Sequence, residues 1–118
     1  MKSTRGAQPV SVELLWFEGC PNKDDARTMI EQAIANTGVP ARVISTEVGD
    51  DSTAAALHFP GSPTVRVNGV DVAPFYRDPP AFALACRLYD TSSGPCGLPE
   101  AIWIHRALRA AAAGADRS

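Results

Sequence analysis

The sequence predicts an α/β fold, a four-stranded mixed sheet with helices on both faces and elements ordered β-α-β-α-β-β-α. Three observations carry that prediction. An apolar strand pattern over Val10 to Phe17 runs through a Gly-Cys-Pro turn into a stripe of helical period. A second strand-like run at 41–48 follows Gly38 and Pro40. Asn68-Gly69 then joins two short apolar runs, a strong short-range signal for a hairpin. At 118 residues the chain is long enough for one domain with a real core and too short for two.

In the first strand, Val10, Val12, Leu14 and Trp16 share one face while Leu15 and Phe17 share the other. A strand apolar on both faces is a central strand covered on each side. Glu18-Gly19-Cys20-Pro21 is a turn, with Pro21 expected at the first helical position and Asp24 and Asp25 in the first turn. Ala26, Met29, Ile30, Ala33, Ile34 and Thr37 recur at helical spacing until Gly38 stops the helix. The strand at 41–48 should lie parallel to the first, through a right-handed crossover. Asp50, Asp51, Ser52 and Thr53 offer caps for a short helix over about 53–59, which Pro60-Gly61-Ser62-Pro63 interrupts. Thr64 to Val67 and Val70 to Ala73 form the hairpin, whose Asn-Gly pair tolerates positive φ at both positions. Pro99 to Ala110 reads as a last helix, with Ala101, Ile104, Leu108 and Ala111 on one face. Residues 74–98 are an inserted segment, in which Pro80 to Leu88 is expected to hold a short helix. Residues 1–9 and 113–118 read as flexible ends of a domain spanning 10–112.

Eleven Lys and Arg against thirteen Asp and Glu give a net charge of −2, which argues against a nucleic-acid partner. The longest apolar run, Ala81 to Cys86, is too short for a membrane span of about 20 residues or a signal-peptide core of about 7–15. A cytoplasmic protein without a membrane partner is expected. No phosphate loop, dinucleotide fingerprint or nucleophile elbow occurs.

Two fragments carry a family resemblance. Trp16-Phe17-Glu18-Gly19-Cys20-Pro21 resembles the active-site turn of the thioredoxin superfamily, and Gly61-Ser62-Pro63-Thr64-Val65 resembles its cis-proline loop. The likeness covers about residues 10–73 and the last helix, and the tract Cys86-Arg87-Leu88-Tyr89 with Gly94-Pro95 resembles small bacterial thioredoxin-like proteins. It implies a thioredoxin-like fold and a thiol-disulfide or thiol-dependent oxidoreductase, with Cys20 as nucleophile. It also implies a cis bond before Pro63 that presents the Ser62 backbone toward Cys20, where the family pairs a peptide or glutathione. Within the motif only Cys20 and Pro63 carry over as functional positions, and Trp16, Pro21, Lys23 and Ser62 join Pro63 as candidate substrate-binding positions. The departure is at Cys20-Pro21-Asn22-Lys23, where lysine stands in place of the second cysteine.

The thiolate is the reactive form of cysteine, and unpaired N–H groups at a helix start favour the anion. Lys23 would add to that effect and Asp24 and Asp25 would oppose it. With one cysteine in the turn, two redox routes are open. Cys20 attacks a disulfide or glutathione adduct, protein substrates included, and an external low-molecular-weight thiol such as glutathione resolves it. Otherwise Cys86 or Cys96 supplies the resolving thiol. A third arrangement pairs those two cysteines with each other, and Cys86 has the further reading of a small buried hydrophobe among Ala83, Leu84 and Leu88. No bound cofactor is expected.

The rival class is a non-enzymatic binding module for a soft metal ion or a protein partner. No pair among the three cysteines, His58 and His105 has zinc-knuckle spacing, so no metal ligand is assigned. His58 reads as structural or exposed, with a local base for Cys20 as its functional alternative, and His105 as a surface residue. Phe75, Tyr76, Phe82 and Tyr89 fall in the inserted segment and are expected to cover the sheet, line a pocket or form a homodimer patch.

Overall fold

The computed structural model describes residues 9–116. The expected ends at 1–9 and 113–118 lie partly outside that range. Strand β1 (Val10–Trp16) leads into helix α1 (Lys23–Thr37), followed by β2 (Ala41–Glu47) and α2 (Asp51–Ala56). Strands β3 (Thr64–Val67) and β4 (Val70–Asp71) form a hairpin. A second, separate hairpin, β5 (Tyr89–Thr91) and β6 (Gly94–Cys96), precedes the last helix, α3 (Ala101–Asp116).

The main sheet has the order β2-β1-β3-β4. β1 pairs with β2 in parallel, Val10 opposite Ala41, and with β3 antiparallel, Leu15 opposite Thr64. The sheet is therefore four-stranded and mixed, as its sequence predicts. Helices cover both faces. Val10, Val12, Leu14, Val65 and Val67 pack with Ala26, Ile30 and Ala33 of α1 and with Trp103, Ile104 and Leu108 of α3. Leu15, on the opposite face of β1, packs with Val48, Ala54 of α2 and Phe59. The alternation of Leu14 and Leu15 between two cores is what makes β1 a central strand.

The turn chemistry also follows the sequence. Gly38 closes α1 in the left-handed conformation at φ 69°, its N–H bonded to the Ile34 carbonyl. Asn68 and Gly69 adopt φ values of 50° and 83°, the two positive values that a type I′ turn requires. α2 starts earlier than expected because the Asp50 carboxylate accepts the Thr53 N–H at 2.8 Å and caps it there. That bond holds the Asp50 pKa below its ordinary value.

Three expectations are corrected. Pro21 is not the first helical residue: α1 begins at Lys23, and Asn22 is its N-cap without a side-chain capping bond. No helix forms over 80–88. Instead Ala85 and Arg87 bond across to Ser62, so this backbone is satisfied by a neighbouring segment rather than along itself. α3 runs through Gly114 to Asp116, carried by the alanines at 110–113 past a residue that weakens but does not stop a helix. No helix among the described residues is long and apolar enough to cross a membrane.

Candidate functional site

The topology brings the two singled-out fragments to one end of the sheet. β1 ends at Trp16 and its turn carries Cys20, whose N–H bonds the Phe17 carbonyl at 3.1 Å. β3 runs antiparallel to β1, so Ser62 and Pro63, just before Thr64, arrive beside that turn. The Ser62–Pro63 bond is cis. Cys20 is half-buried, whereas Ser62 and Pro63 are fully buried.

The positions around Cys20 are held by their own contacts. Lys23 places its ammonium 4.0 Å from the centre of the Trp16 ring, a cation–π contact. The Trp16 indole N–H donates to Ser45 Oγ at 2.8 Å, which fixes the ring from the β2 side. Trp16 therefore serves as the platform for Lys23, and Pro21 lies exposed beside them. Asn22 turns its amide toward Gly97, so close that a Cβ on that glycine would collide with it. Asn22 is thus packed against the loop after β6, which brings the neighbourhood of Cys96 to the turn.

The Ser62 backbone is not left open toward Cys20. Its N–H donates to the Ala85 carbonyl at 2.8 Å and its carbonyl accepts the Arg87 N–H at 2.9 Å. Cys86 lies between those two residues as the parallel bridge partner of Ser62. Residues 84–88 therefore form a strap along the residue that precedes the cis proline. The strap fits because Gly61 has no side chain: at φ 134°, an added Cβ would stand 2.8 Å from the Arg87 Cβ.

Arg87 anchors the strap. Its guanidinium makes a two-point ion pair with Asp71 at 2.6 and 3.0 Å and donates to Thr64 Oγ1 at 3.1 Å. The charge also stands 4.2 Å from the Tyr89 ring centre and 5.2 Å from that of Tyr76. Both ion-pair side chains are buried, at 9% and 6% exposure. Burial works against the Arg87 charge, but its hydrogen bonds to Asp71 and the surrounding charges outweigh this and raise its pKa. The Tyr89 hydroxyl donates to the Pro63 carbonyl. Burial raises the Tyr89 pKa well beyond the tyrosine range; Arg87 opposes the shift, while Asp71 and Cys20 add to it. Tyr89 therefore stays protonated and holds the proline loop as a hydrogen-bond donor.

All three cysteines are free thiols. Cys86 is exposed, which corrects its reading as a small buried hydrophobe: the extended strap turns Arg87 inward and leaves Cys86 outward. Cys96 is exposed on β6 opposite Tyr89. His58, at φ 51°, stacks on Phe82 with ring centres 4.9 Å apart. The four aromatics of the inserted segment disperse: Tyr89 enters the core, Phe82 packs on the second core, Tyr76 lines a cleft with Cys86, and Phe75 is exposed. Among the described residues, no three His, Cys, Asp or Glu side chains gather as a cation site.

Sequence reading assigned no supporting role to Gly61, Thr64, Asp71, Arg87 or Tyr89, which hold the strap and the proline loop in place. One orphan remains beside them. Ser62 Oγ is buried without a hydrogen-bond partner among the described residues. Burying an unpaired hydroxyl is unfavourable, so Ser62→Ala is expected to leave stability unchanged or raise it by up to about 1 kcal/mol. Urea unfolding measures this, and a loss of more than about 1 kcal/mol would show that the hydroxyl is engaged.

No protein-family model, curated protein or solved structure matches the chain.

Proposed function

We propose that the chain is a thioredoxin-like thiol-disulfide oxidoreductase in which Cys20 is the nucleophile and Cys86 the resolving thiol. One observation carries this reading: both backbone groups of Ser62 are taken by the strap, which lays Cys86 along the cis-proline loop at the Cys20 end of the sheet. A cysteine held there takes the place that the missing second turn cysteine would have filled. Lysine at position 23 then serves the site through its charge and its seat on Trp16.

The chemistry balances without a bound cofactor. The Cys20 thiolate attacks one sulfur of a disulfide substrate, forming a mixed disulfide and releasing the other half as a thiolate. The Cys86 thiolate then attacks Cys20 Sγ, releasing the second thiolate and leaving a Cys20–Cys86 disulfide. Two equivalents of an external low-molecular-weight thiol, of the glutathione class, reduce that disulfide and leave as their own disulfide.

Thiol alkylation with peptide mass spectrometry tests the assignment. Cys20 is expected to alkylate first in the reduced protein, and oxidation by a small disulfide is expected to yield a Cys20–Cys86 linked peptide. A Cys20–Cys96 link would transfer the resolving role to the β6 cysteine. A protein that forms neither link nor a mixed disulfide at Cys20 overturns the redox reading and leaves a binding module of the same fold.

A further inference from the structure

We propose that the chain self-associates as a two-fold dimer in which Phe75 of each protomer enters an apolar groove of the other. Phe75 combines two unfavourable features. Its side chain is 97% exposed, and its backbone sits at φ 59°, a left-handed conformation that bulky residues rarely adopt. Among the described residues nothing covers the ring. A ring projected into water on a strained backbone is what an anchor for another surface looks like.

The matching surface is adjacent. A groove of about 490 Å³ runs between the β3–β4 hairpin and α3, lined by Val67, Val70, Val72, Trp103, Ala107 and Ala110. Pro74 also lines this groove, whereas Phe75, the next residue, does not. Phe75 thus stands at the rim with its ring outside its own groove. A projection beside a matching hollow is self-complementary under a two-fold rotation, which carries each ring to the partner's groove and closes the assembly at two. Val70, 68% exposed on the hairpin, lies on the surface that would be covered.

Charge fits the same arrangement. Arg106 stands on the α3 wall of the groove and makes no ion pair among the described residues. Asp78, three residues beyond the ring, is bound among the described residues only by the Tyr76 hydroxyl, at 2.9 Å. Arg77, the like charge between them, lines the other cleft, with Cys86. The partner's Asp78 would therefore follow its ring toward Arg106.

Sedimentation velocity on the full chain tests this, with reductant present so that the exposed cysteines cannot link copies. Between about 1 and 300 μM the wild type is expected to shift from monomer to dimer. Phe75→Asp is expected to weaken association by about a hundredfold or more. Ala110→Trp, which fills the groove from an exposed helix position, is expected to do the same. An equimolar mixture of the two variants should form a heterodimer, weaker than the wild-type dimer but tighter than either variant alone, since it restores one of the two ring-in-groove contacts. Neither replacement touches the core, and circular dichroism verifies the fold of each variant. A wild type that stays monomeric at 300 μM overturns the proposal, and a groove that then binds a hydrophobic dye belongs to another occupant. Undiminished association of Phe75→Asp, or no heterodimer in the mixture, overturns it as well.

Discussion

Cys20→Ser is expected to lower the rate of reduction of a small aromatic disulfide by at least about a thousandfold, measured by release of the coloured thiol. The effect is this large because a serine hydroxyl stays protonated at neutral pH and is a poor nucleophile toward sulfur, so the first bond never forms. Cys86→Ser acts differently. Its first step survives, so about one equivalent of coloured thiol is released before the reaction stalls at a mixed disulfide on Cys20. Added glutathione then restores turnover by attacking that mixed disulfide from solution. Cys96→Ser is expected to turn over like wild type, because the proposed cycle gives Cys96, on β6, no step. Full activity in Cys20→Ser would end the nucleophile assignment. Stalling in Cys96→Ser rather than Cys86→Ser would exchange the two resolvers.

The parts of the fold legible in the sequence are those whose determinants are local. The alternation of Leu14 and Leu15, the stop at Gly38 and the Asn68-Gly69 turn each act within a few residues, and each appears where its chemistry puts it. The strap was not legible because what holds it is distant in sequence. The alanine-rich run before Cys86 favours a helix by propensity. It is overruled by pairing with Ser62 and by an ion pair that spans residues 71 and 87. A signal did exist in Gly61. A glycine beside a serine-proline pair reads as a turn, yet here it also makes room for another backbone. The candidate site divides along the same line. The turn and the proline loop are contiguous motifs, while Asp71, Arg87 and Tyr89 acquire roles only when three segments meet.

That meeting makes the Asp71–Arg87 pair the point where fold and site depend on each other. Arg87→Met is expected to cost about 3–5 kcal/mol in urea unfolding, because the buried Asp71 carboxylate loses both of its charge-assisted bonds. Asp71→Leu should cost a similar amount by stranding the guanidinium between Thr64 and the two tyrosine rings. The double variant should recover most of that loss, since neither charge is then buried alone and apolar side chains fill the space. The same three proteins probe the redox site. Each single variant loosens the strap and should lower the yield of the Cys20–Cys86 link, while the double variant keeps the backbone bonds to Ser62 and should restore it. If stability recovers in the double variant but the link does not, then the guanidinium acts on the strap's position directly. If a single variant costs less than about 1 kcal/mol, the pair is not the anchor that its burial and two-point geometry indicate. On the proposed reading the buried pair is expected to orient Cys86 as well as stabilise the domain, because the strap that carries the thiol has its inward-facing charge at the very next residue.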